Sequence, residues 1–275
     1  MWRGAATSVG AMAFFNPGLT GIVYIYDSTT KDWSELPHCL HLGFTLVAID
    51  NMVTAVGGNK ELYTAGNALL SFSKGSWVEL YPAMSTKRYF PAAVCTSHYL
   101  IVAGGCGEDC QALATVEIMD SNTLQWSTTG NLPVCIPSAL SMSASMTANR
   151  DNVYLLGDDT NRVFQCSLTN LLQFSTELTV NPRKESTIWK RISDIPVTRS
   201  TAVVLCDQLV SVGGHDDSGD ADTVYCFDSA RNKWREVGKL LSCKRLPLAT
   251  TLPGDKLIVV HGNHAGTTVD TATAT

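Results

Sequence analysis

Three histidines are the residues best suited to metal chemistry in this chain. His215 follows a short apolar run, and His261 and His264 follow a similar run further along. Three imidazoles brought together would suit zinc, copper or iron. No acidic or tyrosine ligand accompanies them at a recognised spacing, so we predict no metal site and no bound cofactor.

A cysteine pair and a group of aspartates are two weaker indications of a metal site. Cys106 and Cys110 form a close pair, but no second pair or matching histidines complete a zinc site. The four aspartates between Asp216 and Asp222 lack the glycine and glutamate frame of an EF-hand calcium loop. The nine cysteines are odd in number and form no framework, which favours a reducing compartment and predicts a cytoplasmic protein.

Other classes of function find little support in the composition. The formal net charge of −5 argues against nucleic acid as a partner, and the absence of a long uninterrupted apolar run argues against a membrane. The sequence contains no nucleophile elbow, phosphate loop or dinucleotide fingerprint. We therefore predict that the protein is not an enzyme.

A repeated glycine pair reveals the elements that carry these side chains. Gly57-Gly58, Gly104-Gly105 and Gly213-Gly214 each follow a short apolar run, and two degenerate copies occur at Gly157 and Gly262. Counted from the first residue of each pair, with His261-Gly262 as the last, successive copies are 47, 53, 56 and 48 residues apart. A period of this size marks a repeat architecture.

A second regular feature follows the glycines. Tryptophan lies six residues after aspartate in three copies, Asp27 with Trp33, Asp120 with Trp126 and Asp228 with Trp234. Each aspartate is followed by serine, and these residues favour a tight turn between two strands. A further strand, often opened by arginine, precedes each glycine pair, so each repeat holds four short strands, the blade of a β-propeller.

This combination of arginine, glycine pair, apolar strand and tryptophan resembles the kelch repeat. The resemblance covers nearly the whole chain and implies one all-β domain over residues 1–275, a six-bladed propeller of four-stranded antiparallel blades. The expected blades span about residues 3–36, 41–80, 88–130, 138–193, 198–238 and 244–275.

Three departures from the repeat stand out. Asn16-Pro17 replaces the first glycine pair, and residues 168–187 form an insertion between the third and fourth strands of blade 4. The last blade has room for a third strand near residues 267–273 but not for a fourth. We therefore expect an incomplete last blade, in a fragment, a truncated sequence or a propeller with an open seam.

The repeat residues themselves have structural roles. The glycines allow a positive φ and a sharp turn near the propeller axis. The tryptophans are expected to bury their rings between blades, so that truncation to alanine would cost about 3–5 kcal/mol.

The resemblance also implies a binding surface formed by the loops after the glycine pairs and between blades. In kelch substrate receptors the arginines that open the first strand face an acidic peptide, and the positions that match here are Arg3, Arg88, Arg199 and Arg245. These arginines could instead pair with neighbouring acids such as Glu108 or Asp217. Further partner-binding candidates are Tyr81, Tyr89, Asn59 and His215, with Tyr63, Lys60 and Asn263 as weaker ones.

The function that follows is a non-enzymatic interaction module that binds a protein or peptide on one propeller face. By resemblance it would serve as the substrate-recognition module of a ubiquitin ligase or as a cytoskeletal or signalling scaffold. The alternative is a kelch-type enzyme, such as a metal-dependent oxidase, a lyase or a sugar mutarotase. The sequence leaves the oligomeric state and the identity of the partner open.

Overall fold

The computed structural model describes residues 4–18, 20–61, 64–80, 82–96, 98–109, 111–133, 144–157, 160–173, 188–242, 246–260 and 270–273. These residues form 23 β-strands in six antiparallel sheets, five with four strands and the last with three. The predicted all-β propeller with an incomplete last blade is confirmed. No helix of the described residues is long and apolar enough to cross a membrane.

The strands follow one another through each sheet in chain order. Blades 1 to 3 comprise β1 Ala5–Val9, β2 Met12–Asn16, β3 Tyr24–Asp27 and β4 Trp33–Glu35; β5 Thr45–Ile49, β6 Met52–Val56, β7 Leu69–Ser73 and β8 Ser76–Leu80; β9 Ala92–Thr96, β10 Tyr99–Ala103, β11 Thr115–Asp120 and β12 Gln125–Asn131. Blades 4 to 6 comprise β13 Ser145–Ala148, β14 Asn152–Leu156, β15 Val163–Ser167 and β16 Lys190–Arg191; β17 Thr201–Leu205, β18 Gln208–Asp216, β19 Gly219–Asp228 and β20 Lys233–Lys239; β21 Leu248–Leu252, β22 Lys256–Val260 and β23 Asp270–Thr273. The insertion predicted in blade 4 follows β15, where residues 168–173 form a helical turn.

The core lies between the blades. Six apolar clusters each combine residues of two neighbouring blades, and the second strands are buried on both sides. The outer strands are mostly exposed, as in β4 and β20. Burial of both sheet faces explains why the second strands read as continuous apolar runs rather than as an alternating pattern.

Cysteines contribute to this core as small apolar residues. Cys39 and Cys166 are buried free thiols, and Cys95 is partly buried. Burial raises the pKa of Cys39 and Cys95 to about 11 and the pKa of Cys166 to about 12. These thiols are therefore protonated at neutral pH and act in packing.

The ring closes between blades 6 and 1 by side-chain packing. Phe15 and Tyr26 of blade 1 share an apolar cluster with Leu248 and Ile258 of blade 6. The Ser8 hydroxyl on β1 also donates a hydrogen bond of 2.6 Å to a carbonyl on β21. The sequence analysis had left open a propeller with an open seam. Because blades 6 and 1 pack against each other, that alternative is wrong.

The predicted role of the glycine pairs is confirmed in blade 2. Gly57 and Gly58 have φ of 74° and 69°. A Cβ on Gly58 would lie 2.3 Å from the carbonyl oxygen of Leu42, so a side chain would collide with the backbone at the start of its own blade. In blade 1 the buried Asn16 replaces the glycines, and its amide nitrogen donates to the carbonyls of Thr20 and Ile22 at 2.6 and 2.8 Å.

In blade 5 the glycine pair lies inside a strand. Gly213 and Gly214 fall at a shift in the register between β18 and β19, and pairing resumes at Gly214 with Ala221. Two residues with positive φ at this bulge let the hairpin continue beyond the point where the other blades enter loops.

The outer hairpins take the predicted form. The Asp27 carboxylate accepts hydrogen bonds from the backbone and hydroxyl of Thr29 at 2.8 and 2.5 Å, and these bonds lower the pKa of Asp27. The Asp120 carboxylate likewise accepts the amide of Asn122 at 2.9 Å. Each hairpin then brings its tryptophan opposite the third strand, as with Trp126 and Met119.

Those tryptophans join neighbouring blades through a repeated hydrogen bond. The indole nitrogens of Trp77, Trp126 and Trp234 donate to the carbonyls of Pro37, Pro82 and Ser193 at 2.7, 3.0 and 2.9 Å. Each acceptor lies two residues after the outer strand of the preceding blade. As predicted, the three rings pack against the apolar clusters between neighbouring blades, but they are only partly buried.

Candidate functional site

One face of the ring collects the connections in which the candidate residues lie. We call it the loop face: first and third strands begin there, and second and fourth strands end there. The opposite side, which carries the tight turns, is the turn face. The beginnings of all six first strands line one narrow cavity of about 80 Å³, which shows that the six blades point the same way.

Arg88 lies inside the protein beneath this face. Its side chain is fully buried and forms an ion pair with the fully buried Glu117, with Nη2 and Oε2 3.1 Å apart. Its Nη1 also donates to the carbonyls of Gly104 and Thr115 at 2.8 and 3.0 Å. Burial lowers the pKa of Arg88, the neighbouring carboxylate opposes that shift, and the guanidinium remains charged.

Glu117 completes this network from the third strand of the blade. Its Oε1 accepts the backbone amides of Ser85 and Thr86 at 3.1 and 3.2 Å. The pair therefore ties the connection between blades 2 and 3 to the sheet of blade 3. The prediction that Arg88 contacts a partner is not compatible with this burial.

Tyr89 is also held in the interior. It is 2% exposed and packs against Phe90, with ring centroids 4.4 Å apart. Its ring lies so close to the backbone of blade 2 that a Cβ on Gly43 would be 2.0 Å from Tyr89 Cε2. Tyr89 therefore joins blades 2 and 3, and its ring does not reach the surface.

The candidate arginines occupy different positions relative to their strands. Arg88 precedes β9 by four residues, whereas Arg199 precedes β17 by two. Arg199 has a φ of 55° and corresponds to Phe90, which has a φ of 50°. The carbonyl of Arg199 accepts a hydrogen bond of 3.0 Å from the amide of Leu246, the matching residue of blade 6. In the same way, the carbonyl of Gly43 in blade 2 accepts a hydrogen bond of 2.7 Å from the amide of Phe90.

The backbone of Arg199 thus joins blades, while its side chain is half-buried at the loop face. Arg3, Arg245, Tyr63 and Tyr81, as well as Asn263, lie outside the described residues. His261 and His264 lie outside them too, and the residues that the structure does describe bring together no group of three metal-ligating side chains.

Asn59 reaches the loop face in blade 2. Its backbone pairs with Leu42 through hydrogen bonds of 2.8 and 3.2 Å, which fixes the loop after the glycines against the strand that precedes β5. Its side-chain oxygen accepts the amide of Lys60 at 2.7 Å, and the Lys60 side chain is exposed.

His215 lies on the hairpin that extends from blade 5. Its backbone pairs with Thr198 at 2.8 and 2.9 Å, and its Nδ1 lies 3.0 Å from Asp220 Oδ1. The hairpin turns at Asp217 and Ser218, both exposed. Asn59 and His215 therefore occupy equivalent places on the loop face, in blades 2 and 5.

His41 and Arg88 are buried at equivalent positions in blades 2 and 3, and the sequence pattern did not predict this equivalence. His41 precedes β5 by four residues, as Arg88 precedes β9, and is 8% exposed. Desolvation lowers the pKa of His41, and a hydrogen bond with the Gly57 carbonyl opposes that shift. The equivalence between a histidine and an arginine depends on strand register, which the sequence pattern did not reveal.

Comparison with known proteins agrees with this architecture. The sequence matches the family described as Kelch motif over residues 87–133 and 196–241, which contain blades 3 and 5. The chain contains kelch repeats. Kelch-like protein 38 of Mus musculus is 23% identical over 260 residues, which cover 92% of this chain and 41% of the relative.

One further curated protein and one solved structure are similar to this chain, the second in its fold. The F-box/kelch-repeat protein SKIP4 of Arabidopsis thaliana is 36% identical over 88 residues, 30% of this chain and 25% of that protein. The solved structure of YjhT superposes on the propeller with a TM-score of 0.71 at 14% identity, covering 98% of this chain and 93% of YjhT. The chain spans about two fifths of the length of the kelch-like relative that it matches.

Proposed function

We propose that this kelch-repeat protein is a non-enzymatic interaction module that binds a protein or peptide on the loop face. The main support is the anchoring of the loops to the frame. The loop segments at Asn59, Cys106 and His215 each pair with the segment that leads into the first strand of the same blade. Loops held in this way present side chains in a fixed arrangement, which favours recognition of a partner.

The central cavity supports binding on the surface rather than within the ring. Its volume of about 80 Å³ is smaller than the roughly 300–1,000 Å³ of ordinary ligand pockets. A folded partner or peptide would therefore lie across the loops, where Lys60, Lys87, Glu108 and Asp217 are exposed.

The cellular role that we propose is that of an adaptor or scaffold in the cytoplasm. Substrate recognition for a ubiquitin ligase is favoured by the kelch-like and F-box/kelch-repeat relatives, and a cytoskeletal scaffold is the second role implied by the repeat. An acidic partner was expected from the arginines. The burial of Arg88 removes the main support for that preference.

Matched charge swaps test the proposed face. The loop-face variant combines Lys60→Glu with Asp217→Lys, and the control combines Lys256→Glu with Asp32→Lys on the turn face; all four side chains are exposed. Captured proteins are quantified by mass spectrometry from one lysate. We expect the loop-face variant to lose at least 80% of the specifically captured proteins and the control to keep them, and equal capture by both variants would refute the assignment of the face.

A further inference from the structure

The outer strands of the propeller differ in charge. β4, β8 and β12 contain no lysine or arginine, and β4 and β8 each contain a glutamate. β16 and β20, the outer strands of the neighbouring blades 4 and 5, carry five basic side chains, all of them exposed. These are Lys190, Arg191, Lys233, Arg235 and Lys239, and we call them the basic rim. In a chain with a net charge of −5, this concentration of positive charge distinguishes one side of the ring.

Hydrogen bonds bring the two strands of the basic rim together. The indole nitrogen of Trp234 donates to the carbonyl of Ser193 at 2.9 Å, and the amide of Ser193 donates to the side-chain oxygen of Asn232 at 3.0 Å. Ser193 lies two residues after β16, and Asn232 lies directly before β20. The end of β16 therefore meets the beginning of β20, and the basic side chains form one band rather than two separate patches.

Most of this charge is available to a partner. Among the residues that the structure describes, no carboxylate lies within ion-pair distance of Lys190, Lys233 or Arg235. Lys233 and Arg235 are two residues apart in β20, so they lie on one face of the strand about 7 Å apart. Alternate side chains of any extended segment have the same spacing, so carboxylates at every second position would match these two cations.

Protection of an open strand edge does not account for the basic rim. Charged side chains on an edge strand discourage pairing with other chains, yet β12 is as long as β20 and contains no charged residue. The pairing of each strand with its neighbour is interrupted by a register shift, which itself hinders the addition of another strand. β12 therefore shows that an outer strand of this length and form does not need the charge.

The chain's own segments leave the basic rim accessible. In β8 the residue after the tryptophan is Val78, and in β20 it is Arg235. Val78 is 48% exposed beside blade 3, which has all four strands, so a complete neighbouring blade does not cover this position. Residues 174–187, the longest part of the sequence outside the described residues, contain two acidic and two basic side chains and so offer no net negative charge.

A second copy of the chain also fits poorly. Antiparallel pairing of two β20 strands about Glu236 would place this glutamate opposite its equivalent. The same pairing would place Lys233 opposite Lys239. Like charges directly opposite each other destabilise a strand pair, so the basic rim favours a partner of opposite charge.

We propose that the basic rim is a second docking site, which binds an extended acidic segment of a partner protein. Carboxylates at alternate positions of the segment face Lys233 and Arg235, and the segment continues past Lys190 on blade 4. Nucleic acid fits less well, because single strands bind largely through aromatic rings that stack on the bases. Trp234, the aromatic residue of β20, packs toward blade 4 and donates its indole hydrogen to Ser193. The site lies on the outer side of the ring, apart from the loop face.

A short acidic peptide tests the site directly. The probe is a fluorescein-labelled peptide of alternating glutamate and serine, added to the purified 275-residue chain and followed by fluorescence anisotropy. We expect saturable binding that weakens as salt is raised, because the contacts join exposed charges. The matching peptide of alternating lysine and serine should not bind. Failure of the acidic peptide to bind at low salt would overturn the proposal.

Charge variants locate the bound peptide. Lys233→Glu combined with Arg235→Glu should weaken binding at least about tenfold. Lys60→Glu combined with Lys87→Glu changes the net charge by the same amount on the loop face and should leave the affinity within about twofold of the wild type. Equal losses in the two variants would overturn the proposal, because the peptide would then respond only to net charge.

A neutral variant guards against misfolding of the charge reversal. Lys233→Ser combined with Arg235→Val copies the residues that β8 has at these positions, and it should weaken binding about threefold to fivefold while the melting temperature is kept. Unchanged affinity in this variant would contradict the site. An oligouridine that displaces the peptide and binds more tightly would also overturn the proposal, because the basic rim would then be a nucleic-acid site.

Discussion

At the scale of single residues, Arg88 shows that residue type alone does not decide between a binding role and a structural one. Arginine at the start of a strand suits a carboxylate on a partner, and here the carboxylate is Glu117 of the same blade. Both side chains are fully buried, so the pair acts as a unit that fixes the connection between two blades.

Removal of Arg88 should therefore destabilise the fold. We expect Arg88→Met to lower the free energy of unfolding by about 3–5 kcal/mol, because Glu117 would remain as an uncompensated buried charge. Lys87→Met is the control, since Lys87 and Glu108 form an exposed ion pair and its loss should change stability by less than about 1 kcal/mol. Urea unfolding monitored by circular dichroism measures both, and equal stability of the two variants would contradict the structural role.

His41 should make stability depend on pH. Desolvation lowers its pKa in the folded protein below the usual value of 6.5, so the folded state favours the neutral ring. The stabilisation is complete above the unfolded pKa, and it is lost as the pH falls below about 6.5 and the unfolded state takes up the proton.

A pH series of urea unfolding between pH 7.5 and 5.5 measures this effect. The wild type should lose more stability over that interval than His41→Gln, whose amide does not titrate. Identical pH profiles for the two proteins would show that His41 does not contribute.

At the scale of elements, the glycine pair and the outer hairpin were both predictable because each depends on local chemistry. A positive φ favours glycine, and an aspartate turn depends only on the neighbouring backbone. The positions of the arginines were not predictable. Arg88 and Arg199 differ by two residues in their distance from the first strand, and the difference is set by hydrogen bonds between blades.

Substitution of Gly58 tests the packing of blade 2 at its glycine pair. Gly58→Ala combines a positive φ with a Cβ 2.3 Å from the Leu42 carbonyl, so the backbone must move. Gly75 has a φ of 83° and open space where a Cβ would lie, so Gly75→Ala should cost only about 1–2 kcal/mol. Thermal unfolding should show the larger loss for Gly58→Ala, and a loss no greater than that of Gly75→Ala would contradict the close approach.

Trp126 tests the connection between blades 2 and 3. Because the ring is only partly buried, we expect Trp126→Ala to cost about 1–3 kcal/mol, less than a fully buried ring would cost. Trp126→Phe keeps most of the packing but removes the hydrogen bond to Pro82 and should cost about 1 kcal/mol. Leu124→Ala on the same hairpin is the control, since Leu124 is 45% exposed and should contribute little.

At the scale of the whole molecule, the repeat period was enough to predict six blades and an incomplete last one. It could not show how the ring closes, because closure depends on packing between residues at opposite ends of the chain, such as Phe15 and Ile258. The candidate surface was predictable only as a set of loops. Asn59 and His215 lie on it, whereas Arg88 and Tyr89 are buried through contacts with residues that are distant in the sequence.

Hydrogen exchange tests the closure. If blades 6 and 1 pack as the other neighbours do, the amides of β1 and β21 should exchange as slowly as those of β9, which has neighbours on both sides. Phe15→Ala should accelerate exchange in β21 and leave β9 unchanged. Rapid exchange of β1 and β21 in the wild type would indicate a seam that opens.

The most direct test of partner binding on the loop face is lysine cross-linking of the captured partner complex, read by mass spectrometry. Lys60 and Lys87 are exposed on the loop face, and Lys31 and Lys74 are exposed on the turn face. We predict that cross-links to the partner concentrate at Lys60 and Lys87. A complex cross-linked mainly through Lys31 and Lys74 would contradict binding on the loop face.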